Sequence, residues 1–132
     1  LKGEKMKVID LINAQPVLKG LTQRRMPAKL AYAIAKNFRL ITSELEDYEK
    51  ARIKLLSDNW PLNEETNKYD IPEEEQSKWE LMYNDLLQME SGYKPYVVDM
   101  TLTEEVEWTP SELLNLWFIF EGNGSEDLAP KK

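Results

Sequence analysis

Apolar residues fall into blocks along the chain, and their spacing changes twice. The first block holds Val8, Leu11 and Ile12, then Val17, Leu18 and Leu21, with Pro16 between. Proline disfavours helix at the residue before it, so the pattern predicts two short helical turns separated at Asn13–Pro16. Gly20 ends the second turn, and residues 7–12 also fit a strand. The second block is the most regular. Between Pro27, placed where a first-turn N–H is dispensable, and Ser57 there is no Gly or Pro. Leu30, Ile34, Phe38, Ile41, Leu45, Tyr48 and Leu55 recur at spacings of three, four or seven, which puts them on one side of a helix. Roughly 30 residues make a rod of about 45 Å, long enough to invite a partner helix. Glu46–Lys50 and Glu49–Lys54 mark its solvent side.

A polar stretch from Asp58 to Ile71 predicts a loop. A third helix is expected from Pro72, with Glu73, Glu74 and Glu75 at the positive end of its dipole and Gly92 as its stop. Its apolar face is Trp79, Met82, Tyr83, Leu86 and Leu87, and it should pack back on the later part of the second helix. Beyond Gly92 the period drops to two. Tyr96, Val98, Met100 and Leu102 alternate with Val97, Asp99, Thr101 and Thr103, as in a half-buried strand. Such a strand needs a partner: residues 7–12, residues 104–108, or a second copy. Thr109-Pro110-Ser111-Glu112 is a capping box, and the run Leu113 to Phe120 then predicts a helix apolar on nearly all sides. The fold class read from these blocks is mainly α: a long helical hairpin with a small strand-bearing C-terminal unit. One helical domain over 6–122 is expected, with 1–5 a leader and the polar, turn-rich 123–132 a flexible tail.

Composition narrows the chemistry. There is no Cys and no His, which removes thiol and imidazole catalysis, disulfides and zinc-type sites. No apolar run approaches the roughly 18 residues of a membrane span. The reading is a cytoplasmic protein with no membrane contact. The net charge of -7 conceals a split. Residues 1–41 carry nine bases against Glu4 and Asp10, whereas the remainder carries eight bases and 22 acids. Such a split bears on partners and self-association. Generic duplex binding is disfavoured by the acidic excess, and nucleic acid is not the partner expected.

Few constellations stand out. The acid clusters Glu64/Glu65, Glu73/Glu74/Glu75 and Glu104/Glu105/Glu107 lack calcium-loop spacing and read as solvated helix starts and loops, so no metal and no cofactor is expected. No Gly-rich phosphate loop occurs. Arg24, Arg25 and Lys29 flank the Pro27 helix start, where guanidinium donors and the dipole could hold a phosphate, a nucleotide or a partner's carboxylate. The alternative is that they pair with the protein's own acidic half. Trp60 and the Tyr93/Tyr96 pair around Lys94-Pro95 are candidates for exposed contact residues, and Trp117 and Phe120 for a subunit interface or the core.

The segment Met26-Pro27-Ala28-Lys29-Leu30-Ala31-Tyr32-Ala33-Ile34-Ala35-Lys36-Asn37, the long Glu/Lys-rich helix after it and the Thr-Pro-Ser-Glu-Leu helix start resemble small accessory proteins of phages and prophages of Gram-positive bacteria. Met26 stands where Leu would be expected in them. The resemblance implies a phage accessory role in the cytoplasm of a bacterial host and carries no catalytic residues. The function expected is non-catalytic: binding a protein, or assembling with itself as a homo-oligomer, with inhibition of a host defence nuclease as one specific form. The alternatives are a virion assembly factor or chaperone, a small anionic-ligand binder using Arg24 and Arg25, and weak duplex binding through the basic N-terminal part.

Overall fold

A computed structural model describes residues 6–99 and 106–121. The leader, the tail and the middle of the predicted strand, Met100 to Thr103, lie outside the described residues. The chain is mainly α, with a long helical hairpin and very short strands. Helix α1 spans Val8–Leu21 and α2 spans Ala28–Asn59. A two-residue hairpin follows, β1 (Leu62–Asn63) with β2 (Lys68–Tyr69). A 3-10 turn at Glu73–Glu75 leads into α3 (Gln76–Leu87). After β3 (Val98–Asp99) come α4 (Pro110–Leu116), a 3-10 turn at Trp117–Ile119 and β4 (Phe120–Glu121).

Helix α1 runs unbroken through Pro16, against the expectation of two turns. Proline inside a helix costs about 3 kcal/mol. Leu11, Leu18 and Leu21 on the same face are fully buried, and each contributes about 1.5–3 kcal/mol, so packing outweighs the lost hydrogen bond. Pro16 itself faces solvent. Residues 22–27 turn the chain back, and α2 lays Leu30, Ala33, Ile34 and Ile41 against α1, with Gln15 donating to Thr42 Oγ1 at 3.1 Å.

Helix α2 continues for 32 residues, about 48 Å. Its far half meets α3 in antiparallel fashion, since Tyr48 lies beside Tyr83 and Trp60 beside Trp79. The ion pairs on its solvent side are Arg52–Glu49 and Lys54–Asp58, not those expected from spacing. Helix α3 stops at Leu87, ahead of Gly92, because the following backbone has other partners. Val8 N–H donates to the Met89 carbonyl, Ser91 N–H to the Met6 carbonyl, and Gly92 N–H to Glu44 Oε2. The loop expected over 58–71 contains the β1–β2 hairpin, in which Asn67 adopts φ 59°, a conformation Asn tolerates better than most side chains.

The C-terminal unit differs most from expectation. The helix stops at Leu116, and Phe120 is extended, pairing with Val98 in parallel register. The partner of the described part of the predicted strand, Val98–Asp99, is thus a segment not among those expected, Phe120–Glu121. A short apolar run such as Trp117-Phe118-Ile119-Phe120 has the same periodicity signal in either state, and aromatic and β-branched residues suit a buried strand. Leu116, Phe118, Ile119 and Phe120 enter one core with Leu11, Leu18, Leu21, Leu30, Ile34, Ile41, Tyr93 and Val98. The run is not buried on all sides: Leu114 stands exposed. Leu56 and Trp60 at the far end of the hairpin, and Leu86 near the close of α3, are buried apart from that core.

Candidate functional site

Of the three residues of the predicted anion site at the start of α2, Arg24 is taken up by the protein's own acid. Arg24 Nη2 and Nη1 donate to Glu112 Oε2 at 2.6 Å and Oε1 at 3.2 Å, and Nη1 also donates to the Glu107 carbonyl at 3.0 Å. Glu112 belongs to the capping box of α4: its backbone N–H donates to Thr109 Oγ1, and its Oε1 accepts from Thr109 N–H. The guanidinium thus clamps the α1–α2 connection onto the cap of α4. The hydrogen bond from Arg24 holds the Glu112 carboxyl below its ordinary value against the opposing effect of burial, and the same bond raises Arg24. Arg25 and Lys29 project into solvent. Arg25 borders an open concavity of about 490 Å³ with Val106, Trp108 and Thr109.

The aromatic contact candidates divide. Trp60 is buried, its indole N–H donating to Glu75 Oε1 at 2.8 Å and its ring edge-on to Trp79. Tyr93 and Phe120 are also interior, against Phe118 and Trp108 respectively. These three do not present a contact surface, because each closes a packing layer that the local sequence does not reveal. Trp117 is half-buried against Phe118. Tyr96 stays on the surface. Its ring lies edge-on to Tyr32 at 5.5 Å, and the Lys36 ammonium sits 5.0 Å from the Tyr96 ring centre and 5.8 Å from that of Tyr32.

Tyr96 is held there by a residue missed in the sequence. Asn37 is fully buried, and its side-chain amide makes four hydrogen bonds. Its Nδ2 donates to the Ala33 and Tyr96 carbonyls, at 2.9 and 2.8 Å. Its Oδ1 accepts from Tyr93 O–H at 2.6 Å and Tyr96 N–H at 2.8 Å. The donors and acceptor sites of the amide are all engaged. The only signal available beforehand was position: Asn37 falls within the apolar stripe of α2, between Ile34 and Ile41.

At the other end of the hairpin, residues 44–90 carry 14 acids and five bases. Two of those bases, Arg52 and Lys54, are paired with acids of the same helix, and Lys78 lies over the Trp60 ring. Glu64, Glu65, Glu73 and Glu74 are exposed. Among the described residues, no group of three or more carboxylates converges as a metal site would require. A groove of about 580 Å³ opens between α2, the β1–β2 hairpin and α3, lined by Ile53, Leu56, Leu62, Ile71 and Trp79. Leu81, on α3, is 69% exposed. None of the described helices is long and apolar enough to cross a membrane.

The fold and these surfaces define a mainly α protein with an acidic hairpin at one end and a basic, tyrosine-bearing face on α2. Comparison with protein-family profiles, curated proteins and solved structures gives no match.

Proposed function

We propose that this chain is a non-catalytic accessory protein of a phage or prophage, acting in the cytoplasm of a bacterial host by binding another protein through its acidic hairpin. The observation that carries the reading is the charge of residues 44–90, a net -9 displayed mainly on exposed side chains, with Arg52 and Lys54 already neutralised by neighbours. A surface of that kind complements a basic one, and like-signed charge over such an area steers association at long range. The basic surfaces most in need of a mimic are those that hold nucleic acid. A host defence nuclease is accordingly the partner class we favour. The exposed apolar side chains Ile53, Leu62 and Leu81 on the same hairpin provide contact that charge alone lacks.

The test is affinity capture from a lysate of a Gram-positive host, comparing the native chain with a variant carrying Glu73→Gln, Glu74→Gln and Glu80→Gln. The expected result is a basic nucleic-acid-processing protein that is retained by the native chain, released by competing DNA and lost with the variant. Capture of a virion structural protein, equally by both chains, would replace this reading with an assembly role.

A further inference from the structure

Residues 11–43 contain no acid and six bases, Lys19, Arg24, Arg25, Lys29, Lys36 and Arg39, in a chain with 24 acids. On α2, Lys29, Tyr32, Lys36 and Arg39 follow one another at spacings of three, four and three, which aligns them on one side of the helix. Lys29, Tyr32 and Arg39 are exposed, and Tyr32 is 56% so. The segment that carries Tyr96 lies alongside and adds its exposed ring to the same face, and Lys94, two residues earlier, is exposed. Among the described residues no carboxylate is paired with Lys29, Lys36, Arg39 or Lys94. Lys36 is instead seated over the two tyrosine rings.

We infer that this face binds single-stranded nucleic acid, with bases stacking on Tyr32 and Tyr96 and phosphates meeting Lys29, Lys36, Arg39 and Lys94. Four features support a strand rather than an acidic protein segment or a duplex. Exposed aromatic rings interleaved with cations are the arrangement that takes single strands, whose base faces are free, whereas a duplex hides them. From Lys29 to Arg39 the stripe spans about 15 Å, the length of about four nucleotides stacked at 3.4 Å. The Tyr96 backbone is fixed on both its N–H and its carbonyl by buried Asn37, so the platform is ordered before anything binds. The acidic hairpin does not cancel the local field. The nearest acids stand at the far end of the stripe: Glu46 lies about 10 Å beyond Arg39 and Asp47 about 16 Å beyond Lys36 along the axis, at or past the screening length of about 8–10 Å, and Glu44 accepts from Gly92 N–H. The site is independent of the acidic hairpin's role.

The test is fluorescence anisotropy with a labelled oligothymidylate of roughly 15 nucleotides, a size within the range of single-strand modules. Binding is expected, and it should weaken about fiftyfold between about 50 and 200 mM salt if four phosphates are neutralised. Tyr32→Ala should lose at least about fivefold and Lys36→Glu at least about tenfold. Lys50→Glu, the same charge change on the acidic hairpin, should stay within about twofold. Tyr32 is exposed, so unchanged melting of its variant separates contact from stability. Absence of binding at about 50 mM salt, or binding indifferent to both variants on α2, overturns the inference. Salt-sensitive self-association without oligonucleotide binding also overturns it, and assigns the face to the acidic hairpin of a second copy.

Discussion

Single side chains hold the two least predictable joints of this protein, and Asn37 is the clearer of them. Replacing it with Ala leaves Tyr93 O–H, Tyr96 N–H and the Tyr96 carbonyl without their partner in a buried setting. We expect a loss of about 2–4 kcal/mol in urea unfolding, because each buried unsatisfied group costs about 1–3 kcal/mol and water recovers part. Tyr93→Phe removes one donor and should cost about 1 kcal/mol, and the double variant should be less than additive. Burial also pushes the Tyr93 phenol well above its ordinary value. The folded chain then holds a proton that the unfolded chain releases near pH 10, so stability is complete below that pH and falls as pH rises above it. Thermal melts from pH 8 to 11 should show the decline, and Tyr93→Phe should reduce it without abolishing it, since burial and the hydrogen bond with Tyr83 raise Tyr48 as well. The Arg24–Glu112 clamp titrates in the opposite sense. Glu112 is lowered by its bond from Arg24, so its contribution is present above pH 5 and fades as acid protonates it. Arg24→Ala should cost about 1 kcal/mol, since the guanidinium is partly exposed.

Elements with long, regular patterns were readable from the sequence, and short ones were not. The span of α2 follows from thirty residues without Gly or Pro, and the cap of α4 from four residues whose side chains close on their own backbone. Thr109→Ala should destabilise by about 1 kcal/mol through loss of that cap, measured by denaturant titration. The course of α1 is not legible in the sequence, because Pro16 is a local signal, whereas the buried face of Leu11, Leu18 and Leu21 is a tertiary one. Pro16→Ala should therefore raise stability by about 1–3 kcal/mol, the restored hydrogen bond being partly offset by a freer unfolded chain. A melting temperature that fails to rise would mean that α1 has adapted to proline at no cost. Strand β4 hid inside a helical pattern, since its partner Val98 lies more than twenty residues away. The basic face is half visible in the sequence: Lys29 flanks a helix start, but Tyr32 and Lys36 gain meaning only when Tyr96 is laid beside them.

Across the whole molecule, charge and packing are distributed differently. The acidic hairpin repels itself, so raising salt should stabilise the fold, and calorimetry from about 20 to 300 mM salt should show a rising melting temperature. A flat or falling profile would show that the ion pairs Arg52–Glu49 and Lys54–Asp58 outweigh the repulsion. The core, by contrast, is assembled from both ends of the described chain. Leu11 and Leu18 near the start share it with Leu116, Ile119 and Phe120 near the end and with Leu30, Ile34 and Ile41 of α2, while the far half of the hairpin packs on itself. Synthesis on the ribosome delivers these parts in sequence. The hairpin can form as soon as α3 has emerged, and α2 covers part of the apolar face of α1 early, but the part that meets Leu116, Ile119 and Phe120 stays open for nearly a hundred further residues. A nascent chain arrested before Leu116 is thus expected to offer that face to chaperones and proteases, and its protease sensitivity should drop abruptly once Phe120 has cleared the exit.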